Sequence, residues 1–190
     1  MVDFKPSKVH EFIRKIDSKV VITTNFDSIY DNLCKGSTYS ILDYEEAESI
    51  VQTLKSPTNL IIKAHGTIQK PTKLIFTSSQ YFKSQQENPV FYNILYSLFL
   101  TNTVVFLGYG LSDPDINLIL QYLHKSACEA SPHYLVKEKG TAPQLIKHWK
   151  ETYNVQIIEY GDSYADLEPA IEELANKVDA FRADRAGGGL

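Results

Sequence analysis

The sequence predicts an α/β fold, a mostly parallel sheet with helices on both faces. Two observations carry this. Val20-Val21-Ile22, Leu60-Ile61-Ile62 and Val104-Val105-Phe106-Leu107 are short continuous apolar runs, the pattern of strands covered on both faces in a parallel sheet. Segments of helical periodicity alternate with such runs, as a parallel sheet with crossover helices requires. A length of 190 residues with 43% hydrophobic content suits one domain, over residues 1–182, with 183–190 as a disordered tail: Ala186-Gly187-Gly188-Gly189-Leu190 has nothing to pack.

Val9, Phe12, Ile13 and Ile16 recur at helical spacing behind Pro6 and Ser7, which predicts an amphipathic packing helix leading into the strand Val20–Ile22. A helical turn follows to about Leu33. Gly36-Ser37-Thr38-Tyr39 reads as a turn-rich link, and Glu45 to Leu54 as a mixed region with helical character. Asn59 to Ala64 is the second buried strand, and Lys73 to Thr77 a short strand, after which Thr77-Ser78-Ser79 offers caps for a helix holding Tyr81 and Phe82.

Asn88-Pro89 starts a helix through Leu100 that is apolar nearly all round and so belongs in the middle of the fold. Thr103 to Leu107 is the third buried strand. Asp113 as cap and Pro114 at the first helical position start the next helix, with Ile116, Ile119, Leu120 and Leu123 as its buried stripe. The pattern then repeats: strand His133–Val136, helix Pro143–Tyr153 with Leu145, Ile146 and Trp149 inward, strand Val155–Ile158. A last helix carries Leu167, Ile171, Leu174, Val178 and Phe181 on one stripe.

Acids and bases are interspersed around a formal charge of −4, with no basic block for a nucleic-acid surface. Cys34 and Cys128 stand far apart and form no C-x-x-C pair, so neither a zinc ribbon nor a disulfide framework is indicated, and both read as free thiols. The longest apolar stretch, Val90 to Leu100, is too short to span a bilayer, and the amino terminus lacks the apolar core of a signal peptide. A cytoplasmic protein without membrane or nucleic-acid partners is the expectation.

The chemistry-bearing residues stand where the apolar runs end. Ligands of parallel sheets sit outside the carboxyl ends of the strands, and Asn25 and Asp27 follow the first run while His65-Gly66 follows the second. An amide there can donate and accept hydrogen bonds, and a carboxylate can orient a hydroxyl or a water. Each has a plain structural alternative. Asn25 or Asp27 can cap the helix that follows, and Ser28-x-x-Asp31 fits a capping box. A histidine after a strand is more often a structural hydrogen-bonding residue than a catalytic one, although Gly66 beside it suggests close backbone approach or positive φ. Gly108-Tyr109-Gly110 after the third run allows close approach to a ligand, yet taken alone it reads as a tight turn, and the third glycine of a dinucleotide fingerprint is absent.

Taken together, Thr23-Thr24-Asn25-Phe26-Asp27, Ala64-His65-Gly66 and Phe106-Leu107-Gly108-Tyr109-Gly110-Leu111-Ser112-Asp113-Pro114-Asp115, in that order, resemble the sirtuin-like (Sir2-like) domain of bacterial anti-phage defence proteins, over about residues 8 to 180. The resemblance implies a Rossmann-like site for NAD. Many such domains hydrolyse NAD, as substrate, to nicotinamide and ADP-ribose, and no metal is needed. Carried over by motif, His65, Asn25 and Asp27 would be the catalytic set. Thr24, Asn25, Phe26, Asp27, Gly66, Gly108, Tyr109, Gly110 and Ser112 would line the cofactor site. A homo-oligomer, or a fused or partner effector-sensing domain, would accompany the domain.

Two departures bear on function. The zinc-binding cysteine quartet of the deacylases is absent, which counts against protein deacylation. The family's first strand and its glycine-rich phosphate loop are also missing, since no glycine precedes Gly36. A fragment of a larger enzyme, a degenerate relative, or a sheet completed by a partner or second copy would each account for this, and the fragment reading is preferred. Two functions follow: the core of an NAD glycohydrolase, or a catalytically inactive nucleotide-binding or scaffolding module.

Overall fold

The computed structural model describes residues 4–110, 114–126 and 131–187. The chain forms two compact units, Met1–Phe76 with Glu168–Leu190 and Thr77–Leu167, and each carries a three-stranded sheet. All strand pairs are parallel. In chain order the elements are α1 (Lys8–Ile16), β1 (Val20–Thr23), α2 (Ile29–Cys34), β2 (Tyr39–Asp43), α3 (Ala47–Leu54), β3 (Asn59–Lys63), α4 (Ser78–Glu87), α5 (Pro89–Thr101), β4 (Val105–Phe106), α6 (Pro114–Ser126), β5 (His133–Lys137), α7 (Pro143–Tyr153), β6 (Val155–Glu159) and α8 (Leu167–Gly187). This is the α/β architecture the alternating pattern predicts, and it is consistent with the Rossmann-like fold the resemblance implies. None of the described helices is long and apolar enough to cross a membrane.

In the first unit the strand order is β1-β3-β2. The central strand is the most apolar, and Leu60, Ile61 and Ile62 are fully buried with Ile50 of α3. Each such side chain contributes about 1.5–3 kcal/mol through removal from water. α1 ends at Asp17, which adopts a left-handed conformation, φ 51°. Its carboxylate accepts from the Tyr39 hydroxyl at 3.1 Å and the Asn59 amide at 2.6 Å, fastening the starts of β2 and β3 to the end of the helix. α1 itself buries no residue fully; its Lys15 bonds Asn176 and Asp179 of α8.

Several expectations are corrected. β1 is not fully buried: Val20–Thr23, which alternate between the two faces, are all half-buried, and β1 is an edge strand paired with β3 on one side. β2 begins at Tyr39, the last residue of the expected link, and runs to Asp43 where no strand is expected; it is an edge strand whose Tyr-Ser-Ile-Leu-Asp lacks a continuous apolar run. No strand spans Lys73–Thr77. Pro71–Lys73 form a 3₁₀ turn, and buried Ile75 spends its N–H on a single bond to the His65 carbonyl, 3.1 Å, rather than on a ladder.

The second unit orders its strands β4-β5-β6. β4 is two residues long instead of the five expected, and Val105 is 46% exposed, since β4 is paired on one side only. α5 buries Phe91, Tyr92, Ile94, Leu95 and Phe99 but exposes Val90 and Leu100, so its apolar ends are not enclosed. Pro114 starts α6, and Ile116, Ile119, Leu120 and Leu123 are its buried stripe; Asp113, the expected cap, lies outside the described residues, as does Cys128. Pro143 opens α7, where Trp149 is buried and Leu145 faces outward. α8 runs through Gly187, past residue 183 where the tail was expected to begin. Its alanine- and arginine-rich end has good helix propensity, and Phe181 on that end is exposed.

His133, the first residue of β5, is buried, and its Nδ1 accepts the Val104 N–H at 3.1 Å. Burial pushes its imidazole below the ordinary value. The folded state therefore binds fewer protons than the unfolded one: the stabilisation is complete above about pH 6.5 and is lost as pH falls through the folded value. Urea unfolding should show stability falling as pH drops below about 6.5. His133→Gln, which does not titrate, should flatten part of that slope, and an unchanged slope would clear His133 as its source.

Candidate functional site

β1, β2 and β3 end together. Thr23 lies opposite Lys63, and Asp43 opposite Lys63 on the other side, so the three carboxyl ends share one edge. Asn25 and His65 each stand two residues beyond that level, on adjacent strands. The Ala64 N–H extends the β1–β3 pairing to the Thr23 carbonyl at 2.9 Å, and the chain then leaves both strands in loops that are tied to each other. The Ile68 N–H donates to the Phe26 carbonyl at 2.9 Å, and the Gln69 amide donates to the Ser28 hydroxyl.

Asn25 is exposed, and its backbone N–H donates to Thr23 Oγ1 at 3.1 Å; its side-chain amide makes no hydrogen bond with the described residues. Asp27 is also exposed, and its carboxylate accepts the Ile29 N–H at 2.9 Å, so it caps α2. The Ser28–Asp31 capping box does not form: Ser28 makes no side-chain cap bond, and Asp31 turns inward to Lys63. Half-buried Thr24 precedes Asn25, and the Phe26 ring meets Phe76 at 4.5 Å between centroids. His65 is half-buried, and its carbonyl holds the Ile75 N–H.

Gly66 is buried with φ +87°, and a Cβ there would stand 2.8 Å from the Lys73 carbonyl oxygen. That carbonyl also accepts the Tyr44 hydroxyl at 2.8 Å, so it has little room to yield. Gly66→Ala is expected to cost about 1–3 kcal/mol of stability from backbone strain, read by urea denaturation; a loss below about 0.5 kcal/mol would show that the loop relaxes freely.

Gly108, Tyr109 and Gly110 follow β4 in the second unit. Gly108 has φ +62° with no atom within 4 Å of a built Cβ, so conformation, not crowding, calls for glycine. Tyr109 stacks on Phe106 at 5.3 Å, and Gly110 is exposed. Ser112 lies outside the described residues.

Sequence reasoning overlooks the ion pair beneath the loop. Lys63 Nζ lies 3.2 Å from Asp31 Oδ2, with side chains only 2% and 8% exposed, and also donates to the Asp27 carbonyl. The signal was a lysine inside the run Leu60-Ile61-Ile62-Lys63-Ala64, where a buried charge needs a partner.

Residues 19–158, well over half of the chain, match the SIR2-like domain family, and the matched span contains every strand but the last residue of β6 and all of the candidate residues. The chain belongs to the SIR2-like domain family. Among its relatives, the SIR2-like domain is 30% identical over 129 residues to defence-associated sirtuin 2 of Bacillus subtilis, an alignment covering 65% of this chain and 12% of that protein. It is 26% identical over 117 residues to the NAD(+) hydrolase ThsA of Acinetobacter baumannii, covering 61% and 24%. With the NAD(+) hydrolase ThsA of Enterococcus faecium it shares 23% identity over 157 residues, 80% and 33%. The alignments thus span between about an eighth and a third of those relatives' lengths.

Proposed function

We propose that this SIR2-like domain binds NAD and, in the full-length protein, hydrolyses it to nicotinamide and ADP-ribose in anti-phage defence. The observation that carries the reading is the common edge of β1 and β3, from which Asn25, Asp27 and His65 leave the sheet on loops bonded to each other. The relatives support it by their names, NAD(+) hydrolase and defence-associated sirtuin.

In the proposed reaction the bond between ribose C1′ and the nicotinamide nitrogen breaks, the electron pair leaves with neutral nicotinamide, and an oxocarbenium-like centre develops at C1′. Water adds to C1′ and gives up a proton. His65 is assigned the role of base for that proton or for a ribose hydroxyl. Asn25, with its uncommitted amide, is assigned to orient the nicotinamide riboside, and Asp27 to do so through the carboxylate oxygen that does not cap α2. Thr24, Phe26 and Gly66 are assigned to the same pocket as Asn25 and Asp27, and the assignment of Gly108, Tyr109, Gly110 and Ser112 to the cofactor rests on the family resemblance alone.

The phosphates need backbone donors that no glycine-rich loop before Gly36 supplies. The open edge of β1, which is paired with β3 on its other side, is where a strand carrying such donors would pair. Several donors at about 1 kcal/mol net each amount to orders of magnitude in affinity. The test is calorimetric titration of NAD. A protein that includes such a strand and loop should bind orders of magnitude more tightly than the 190 residues alone. Micromolar affinity for the 190 residues alone would contradict the need for those donors.

A second reading, an inactive nucleotide-binding or scaffolding module, is favoured by the half-exposed edge strand β1 and by the capping role of Asp27. It predicts NAD binding, or none, without nicotinamide release.

A further inference from the structure

Lys63 is the last residue of the central strand of the first unit and is 2% exposed; Asp31 of α2 is 6% exposed. Nζ stands 3.2 Å and 3.4 Å from the two Asp31 carboxylate oxygens and donates to the Asp27 backbone carbonyl. Taking both charges out of water is costly, and well-packed apolar residues in place of such a pair are often neutral or stabilising. Stability alone therefore gives weak reason for the pair. An apolar pair could not supply the bond to the Asp27 carbonyl.

That bond bears on the candidate site. The segment between Thr23 and Ile29 is held by the Asn25 N–H on Thr23 Oγ1, the Phe26 carbonyl on the Ile68 N–H, the Ser28 hydroxyl on the Gln69 amide, the Asp27 cap on Ile29, and Lys63. Only Lys63 reaches the segment from β3, the strand that carries His65, while its other bond grips α2. The residue that joins the two catalytic loops to one rigid element is thus a buried cation between them.

We propose that Lys63 is a positioning residue, which through the Asp27 carbonyl and Asp31 holds the Asn25–Asp27 segment in register with His65. Its consequence for rate rests on the NAD-hydrolysis reading above; its consequence for the loop does not. A misplacement on the order of 1 Å can cost about a hundredfold in rate.

The test compares full-length wild-type protein with two neutral pairs, Lys63→Met with Asp31→Leu, and Lys63→Gln with Asp31→Asn. Hydrogen exchange over residues 24–29 is read against exchange over β3. In the apolar pair, exchange of 24–29 should accelerate at least about tenfold with β3 still protected. The polar pair, which keeps a donor beside the segment, should loosen it less. Where wild type releases nicotinamide, the apolar pair should lose at least about tenfold in kcat with an unchanged melting temperature. Wild-type exchange in the apolar pair, or loss of β3 protection in both pairs, would overturn the proposal by reducing Lys63 to a folding element. A wild-type protein that releases no nicotinamide would sink the hydrolysis reading instead, and the exchange measurement would still decide the role of Lys63.

Discussion

His65→Ala is expected to lower nicotinamide release by the full-length protein about a hundred- to ten-thousandfold, the usual contribution of a positioned base, or roughly 3 to 5 kcal/mol of barrier. The fold should tolerate it. Alanine keeps the backbone carbonyl that accepts the Ile75 N–H and leaves the apolar strand Leu60–Ile62 untouched. Nicotinamide release and melting curves are measured side by side. Equal rates would remove His65 from the mechanism, whereas a lost rate with a collapsed melting temperature would make its role structural.

Asn25→Ala is expected to have the second-largest effect, about a hundred- to thousandfold in rate, as for loss of one preorganised hydrogen-bonding group. Its side chain is exposed and makes no hydrogen bond with the described residues, so the melting temperature should not change. Asp27 offers no such clean separation because its carboxylate caps α2, and alanine there should also cost about 1 kcal/mol of helix stability. A wild-type rate for Asn25→Ala would show that the free amide at the sheet edge is incidental.

The parts of this fold legible in the sequence are those with a local cause. Proline at the first turn marks α5, α6 and α7, and the continuous run Leu60-Ile61-Ile62 marks the one strand of its sheet that has neighbours on both sides. Edge strands were harder to read in both directions. β1 looks fully buried because Val-Val-Ile is apolar, yet it is open on one edge, and β2 hides because a half-exposed strand mixes Tyr, Ser and Asp with Ile and Leu. The stretch Lys73–Thr77 has a strand's composition but joins no sheet, and pairing is a property of the sheet, not of the segment.

The candidate site divides in the same way. Asn25, Asp27 and His65 announce themselves because each stands just past an apolar run, and parallel pairing then sets Thr23 against Lys63 and brings the loops to one edge. The Lys63–Asp31 pair does not, since its partners are 32 residues apart and Asp31 suits a capping box equally well by spacing. Only the three-dimensional arrangement shows that Asp31 faces inward and that Asp27 caps the helix in its place.

The central claim is tested most directly by incubating the full-length protein with NAD and quantifying the products by chromatography, with an acyl-lysine peptide present in a parallel reaction. The account predicts nicotinamide and ADP-ribose in equal amounts, with no dependence on the peptide and no deacylated product. NAD that stays intact in the presence of folded, wild-type protein, or nicotinamide released only when the peptide is added, would contradict it.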